Sequence, residues 1–148
     1  MLSKNFQAAL TVSAAILFLS SCKTYEIPME SFRKQFETVE SDSMQPVTVH
    51  TPYGKWTYQA NPITTIVCVD KKTGELATLR NGPSVKMKMT YGYEKKSSVF
   101  YFDRSYVEDG IFYGTESTDM KWVQRSIPLD SITRIEITDG QKNFRYVK

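Results

Sequence analysis

Histidine and cysteine are almost missing from this chain: its 148 residues include one His and two Cys. That scarcity removes whole classes of chemistry. A Cys nucleophile needs an imidazole beside it, which leaves Cys68 with His50 as the pair to weigh. Cys68 sits in the apolar run Ile66-Val67-Cys68-Val69, where a lone Cys behaves as a small buried hydrophobe. A zinc site needs three or four Cys or His ligands, and no such set can be assembled, so neither metal nor cofactor is expected. Glycine is scarce as well. Its seven copies are scattered singly, as turn punctuation is, and no phosphate-cradling loop or Gly-x-Ser-x-Gly elbow is present. Carboxylates are spread through turns. Asp103 and Glu108 are the pair best placed to converge, and a β protein of this size offers one such pair by chance. No enzyme is expected.

A long apolar run is also lacking. Lys4 precedes a short apolar stretch from Phe6 to Phe18, too short to span a bilayer comfortably and closed by Ser20 and Ser21. Cys22 follows directly. Leu19-Ser20-Ser21-Cys22 resembles the lipobox of bacterial lipoprotein precursors, and the leader is similar to those of Bacteroidetes lipoproteins. The resemblance covers the first 22 residues. It implies removal of residues 1–21, acylation of Cys22 and attachment to the cell envelope. Lys23 after the Cys, rather than Asp, implies the outer membrane by the enterobacterial sorting pattern. One acyl chain holds a protein marginally and two or more hold it stably, so the implied multiple acylation anchors the chain without a transmembrane helix. Residues 22–30 then read as a lipidated tether, and residues 31–148 as a single mostly-β domain.

Charge of one sign is absent too. The chain has 19 Lys and Arg against 16 Asp and Glu, and one of those Lys lies in the leader. A nearly neutral, interspersed balance gives no reason to expect nucleic acid as a partner. Lys71-Lys72 and Lys95-Lys96 read as solvated turns.

What is present is β patterning. Ser31 is a candidate cap for a short helix that places Phe32, Phe36 and Val39 on one face. From Val47 the period changes to two. In Ser84–Tyr91, Val85, Met87, Met89 and Tyr91 alternate with Ser84, Lys86, Lys88 and Thr90, the mark of a half-buried strand. Further strands are expected over Val47–His50, Lys55–Ala60, Ile63–Asp70, Glu75–Arg80, Ser97–Asp103, Tyr106–Val107, Ile111–Thr115, Lys121–Ile127, Ile132–Thr138 and Gln141–Val147. Asp109-Gly110 and Asp139-Gly140 are strong hairpin signals, because the tight turn needs positive φ. The segment Ile127–Ile137 is similar to the closing segment of many small bacterial β-roll domains. The fold class is all-β: a small antiparallel barrel or sandwich with one short N-terminal helix.

Aromatics are in excess, with nine Tyr, eight Phe and two Trp. Adjacent aromatics in Val99–Phe102 and Ile111–Tyr113 must point to both sheet faces. Trp56, Tyr58, Tyr101 and Trp122 are therefore candidate ligand-binding residues, since rings on a sheet face stack on sugars or anchor a protein partner. Trp56 shares its face with Tyr58 and Ala60 and is expected to be the more buried Trp. Trp122 shares its face with Gln124 and Ser126 and is expected to be partly exposed. Two functions fit: a lipid-anchored envelope protein with a structural or protein-interaction role, or a surface lipoprotein binding a glycan or small amphiphile.

Overall fold

The computed structural model describes residues 23–117, 123–138 and 143–147. Cys22, Trp122 and the Asp139-Gly140 turn lie outside them. Twelve strands and one helix follow in order: β1 (Tyr25–Glu26), α1 (Met29–Gln35), β2 (Gln45–Thr51), β3 (Gly54–Ala60), β4 (Thr65–Asp70), β5 (Leu76–Arg80), β6 (Lys86–Tyr91), β7 (Lys96–Tyr101), β8 (Tyr106–Glu108), β9 (Ile111–Thr115), β10 (Gln124–Pro128), β11 (Ile132–Thr138) and β12 (Arg145–Tyr146). Short 3-10 turns occupy Ser41–Ser43, Phe102–Arg104 and Leu129–Ser131.

Among the described residues, all pairing is antiparallel and falls into three sheets. The largest has the order β5-β4-β1-β11-β6-β7; the others are β10-β9-β8 and β12-β2-β3. The sheets do not close into a barrel, and the arrangement is that of a sandwich. One edge is shared: Phe100 on β7 bridges to Glu116 beyond β9, and the Ser117 N–H donates to the Val99 carbonyl.

Period two decides which face is buried. Met87 and Met89 have no exposed surface, and Val85 has 2 %, whereas Lys86 and Lys88 are exposed. Ile135, Ile137, Ile66, Cys68 and Phe100 complete that inner face. α1 and the β8–β10 sheet cover it with Phe32, Phe36, Phe112 and Ile127. Rings run through the middle as a chain: Phe36–Phe32 at 4.4 Å between centroids, Phe32–Phe112 at 6.2 Å and Phe112–Phe100 at 5.0 Å. Gly114 is required where that chain meets β9. A Cβ there would lie 2.6 Å from one Phe112 ring atom and 2.9 Å from Phe100. The β8–β9 hairpin turns on Asp109 (φ 52°) and Gly110 (φ 74°), as the Asp-Gly pair requires.

Several strand ends shift by one or two residues, and three differences from the sequence reading change what an element does. Residues 25–27, expected to belong to the tether, are part of the domain: β1 pairs with β4 on one side and β11 on the other, and Ile27 is 1 % exposed. Two residues are too few to show periodicity, so their role comes from partners far away in sequence. The helix starts at Met29 with Pro28 as its cap residue, not at Ser31, and the Phe32 N–H donates to the Pro28 carbonyl at 2.9 Å to close the first turn. Ser31 lies inside the helix, where its Oγ accepts from Gln35. The strand expected through Asp103 ends at Tyr101, since Phe102, Asp103 and Arg104 are all buried and a strand cannot bury three successive side chains on one face.

β1 is short, and α1 continues its work. Beyond Glu26 the next outward-pointing groups of β4 belong to Val67. The Gln35 side-chain amide accepts from the Val67 N–H at 2.9 Å and donates to its carbonyl at 2.9 Å. A side chain thereby stands in for a missing strand residue.

Candidate functional site: a buried Asp–Arg–Tyr joint

The three-stranded β12-β2-β3 sheet has a polar face and an aromatic one. Register places Val49 opposite both Trp56 and Tyr146, and Val47 opposite Tyr58, so these side chains share the aromatic face. The other face carries Thr48, Thr57, His50 and Lys55, with the Thr48 and Thr57 hydroxyls 3.1 Å apart.

That aromatic face meets the 3-10 turn after β7. Asp103 has no exposed surface, and Arg104 has 7 %. Asp103 Oδ2 accepts from the Tyr58 hydroxyl and, at 2.8 Å, from the Tyr146 hydroxyl. Its Oδ1 faces Arg104 Nε at 3.8 Å. The Arg104 guanidinium lies between two rings, 4.0 Å from the Tyr58 centroid and 4.1 Å from that of Tyr101. Such a sandwich suits a flat, weakly hydrated cation. Asn61, just after β3, secures the turn from the other side. Its Nδ2 donates to the carbonyls of Phe102 at 2.7 Å and Ser105 at 3.0 Å, and its N–H donates to the Asp103 carbonyl at 2.7 Å.

The electrostatics follow from burial. Desolvation pushes the Asp103 carboxyl above its ordinary range, while the Tyr58 hydrogen bond, the Arg104 charge and the Tyr146 hydrogen bond oppose that shift. Both phenols are held well above the ordinary tyrosine value, first by burial and then by the Asp103 charge they face. Chemically, this is a buried ion pair at 3.8 Å, flanked by two phenol hydrogen bonds on the other carboxylate oxygen. The carboxylate and guanidinium are directed at one another and at the phenols, and they present little surface to solvent.

The structure sorts the four aromatic candidates. Tyr58 and Tyr101 come together, with Arg104 against a face of each. Trp56 neighbours Tyr58 on β3 and retains 38 % exposure, because β3 is an edge strand with β2 as its partner in the sheet. Trp122 lies outside the described residues, as does Cys22. A shallow depression of about 260 Å³ is lined by Arg33, Phe36, Glu37, Val107, Asp109 and Leu129 among others, and not by Trp56, Tyr58 or Tyr101. Asp103 and Glu108 do not converge: Glu108 accepts from the Ser41 hydroxyl at 2.8 Å. Cys68 lies in the interior of the six-stranded sheet, where burial and then the Asp70 charge raise its thiol pKa, and His50 lies on the exposed face of another sheet. Sequence reasoning missed Arg104, Tyr146 and Asn61. The one available signal was Phe102-Asp103-Arg104 itself, two charges directly after a strong β run.

No family model, curated protein or solved structure matches this chain. Among the described residues, no helix is long and apolar enough to cross a membrane, and no group of three His, Cys, Asp or Glu is placed to hold a metal ion.

Proposed function

We propose that this protein is a lipid-anchored component of the cell envelope, held at the outer membrane through acylated Cys22, with a non-catalytic structural or protein-interaction role. The observation that carries this reading is the position of β1. β1, in the interior of the largest sheet, begins three residues after Cys22, so cleavage before Cys22 would keep every described strand in the mature chain and leave almost no linker. The Asp103 network supports the non-catalytic part, because its polar groups face one another in a buried joint between two sheets. Intact-mass analysis of the mature protein should give residues 22–148 plus the acyl groups. Cys22→Ser should move the protein out of the membrane fraction, and its retention there after a carbonate wash would overturn the anchor. Cross-linking in intact envelopes should then capture a protein partner.

The glycan-binding reading retains one supporting observation, the part-exposed Trp56 ring on an open edge strand. Against it, an Arg104 guanidinium covers one face each of Tyr58 and Tyr101, which a sugar would have to displace for stacking there.

A further inference from the structure

We infer that the domain lies against the bilayer by one end of its six-stranded sheet, with the Lys71–Gly74 turn and Leu76 seated in the headgroup region. This rests on the lipid-anchor reading of Cys22 and adds an orientation to it. An extended chain covers at most about 3.5 Å per residue, so Cys22 can stand roughly 10 Å from Tyr25. Even that slack is reduced, since the Lys71 N–H donates to the Thr24 carbonyl at 3.1 Å. β1 is paired on both sides and followed by buried Ile27, so the tether cannot lengthen without opening the sheet.

The residues at that end are known from the register. Tyr25 pairs with Asp70, where β4 ends; the chain then turns through Lys71, Lys72, Thr73 and Gly74, and β5 starts at Leu76 opposite Val69. The turn is firm. Asp70 Oδ1 accepts the Lys72 N–H at 2.8 Å, and the Gly74 N–H returns to the Asp70 carbonyl at 2.8 Å. Leu76 is 81 % exposed and shares the outer face with Val69 and with Val67, itself 38 % exposed. One exposed Leu is ordinary on a protein surface. Here it stands beside the point where an acyl anchor would enter the membrane, flanked by Lys23, Lys71 and Lys72, whose long stems let ammonium groups stay at headgroup level. The acidic groups of the same rim are Asp70, held by the turn, Glu136, paired with Lys71 at 2.5 Å, Glu26 opposite Val69, and exposed Glu75, with Lys86 as a fourth cation. Net charge is therefore balanced, and the contact is with the bilayer interface itself rather than with anionic lipid alone.

The opposite end provides a control. β6 runs parallel to β1 across β11, which places Lys86 near the tether and Tyr91 about 17 Å further out. Fully exposed Tyr93 lies beyond it. The test uses the full-length lipidated protein in phosphatidylethanolamine/phosphatidylglycerol liposomes, carrying a fluorophore at Leu76→Cys or at Tyr93→Cys. Cys68 is buried and should not label natively. Quenching by headgroup-region nitroxide lipid should be several-fold stronger at position 76 than at 93. Equal, weak quenching at both positions in protein that floats with the liposomes would overturn the orientation while leaving the anchor intact. Failure to float would overturn the anchor and this inference together.

Discussion

The six-stranded sheet and the three-stranded β12-β2-β3 sheet are held to the protein by different physics. The first is an oily seam: Ile66, Met87, Met89, Ile135, Ile137 and Phe100 have no exposed surface, and Phe32 and Phe112 close over them. The second offers Trp56 at 38 % and Tyr146 at 37 % exposure, and it docks through one buried carboxylate and one sandwiched guanidinium. Apolar burial is spread over many atoms and is non-directional. A charged network concentrates its effect in a few bonds and fails when one of them is lost. The larger sheet should therefore fail globally and the smaller one locally.

The largest effects belong to the oily seam. Phe32→Ala should destabilise by about 3–5 kcal/mol and Met87→Ala by about 2–5 kcal/mol in urea melts, because each leaves a cavity that stiff neighbours cannot fill. Lys86→Ala, one residue along and on the wet face, should stay within about 0.5 kcal/mol. Similar losses for Met87 and Lys86 would mean that the β6 faces are reversed. That alternation was legible in the sequence because period two over eight residues admits few other readings. The Asp109-Gly110 turn was legible for a comparable reason: both residues need positive φ, and few pairs accept it. β1 was hidden because two residues carry no period and its partners Asp70 and Ile137 lie far along the chain. The joint was hidden in the same way. Tyr58, Asp103 and Tyr146 are each over 40 residues apart, and nothing local marks them as neighbours.

The next effect falls on the smaller sheet. Asp103→Asn weakens both phenol hydrogen bonds and removes the charge facing Arg104, at a cost of about 3 kcal/mol. The loss should be local. Hydrogen exchange should accelerate in β2 and β3 while β6 and β11 amides keep their protection. Uniform acceleration would remove the distinction between the two regions. The phenols add a pH signature. Their folded pKa values are raised, so the stability they contribute is complete below the ordinary tyrosine value near 10 and is lost as pH climbs past it. Urea midpoints should fall above about pH 10, and Tyr58→Phe should flatten that part of the fall.

Trp56→Ala should have an intermediate effect, about 2 kcal/mol, because a ring with 38 % exposure gives up only part of the burial of a core Trp. This variant also separates the two functions. If Trp56 holds a glycan, binding on a glycan array should vanish while the melting temperature shifts modestly. If it only packs beside Tyr58, the melt should shift and the array should not change.

The smallest effect sharpens the comparison where helix meets sheet. Gln35 completes the β4 ladder with two hydrogen bonds to Val67, in a place open to water. Gln35→Ala should cost only about 1 kcal/mol, since water can take over both backbone groups. Gln35→Glu is the more informative change. A carboxylate keeps an acceptor for the Val67 N–H but sets negative charge against the Val67 carbonyl, which Gln35 serves as a donor. At neutral pH this variant should be less stable than Gln35→Ala. The carbonyl raises the folded pKa of this carboxyl, and acidification protonates it and restores a donor, so its deficit against the unmutated protein should shrink as pH falls toward the ordinary glutamate value near 4.3 and be smallest below it. A pH-independent deficit in matched urea melts would show that the side chain merely fills space there. Recovery in acid would show that one glutamine amide serves as the missing residue of a two-residue strand.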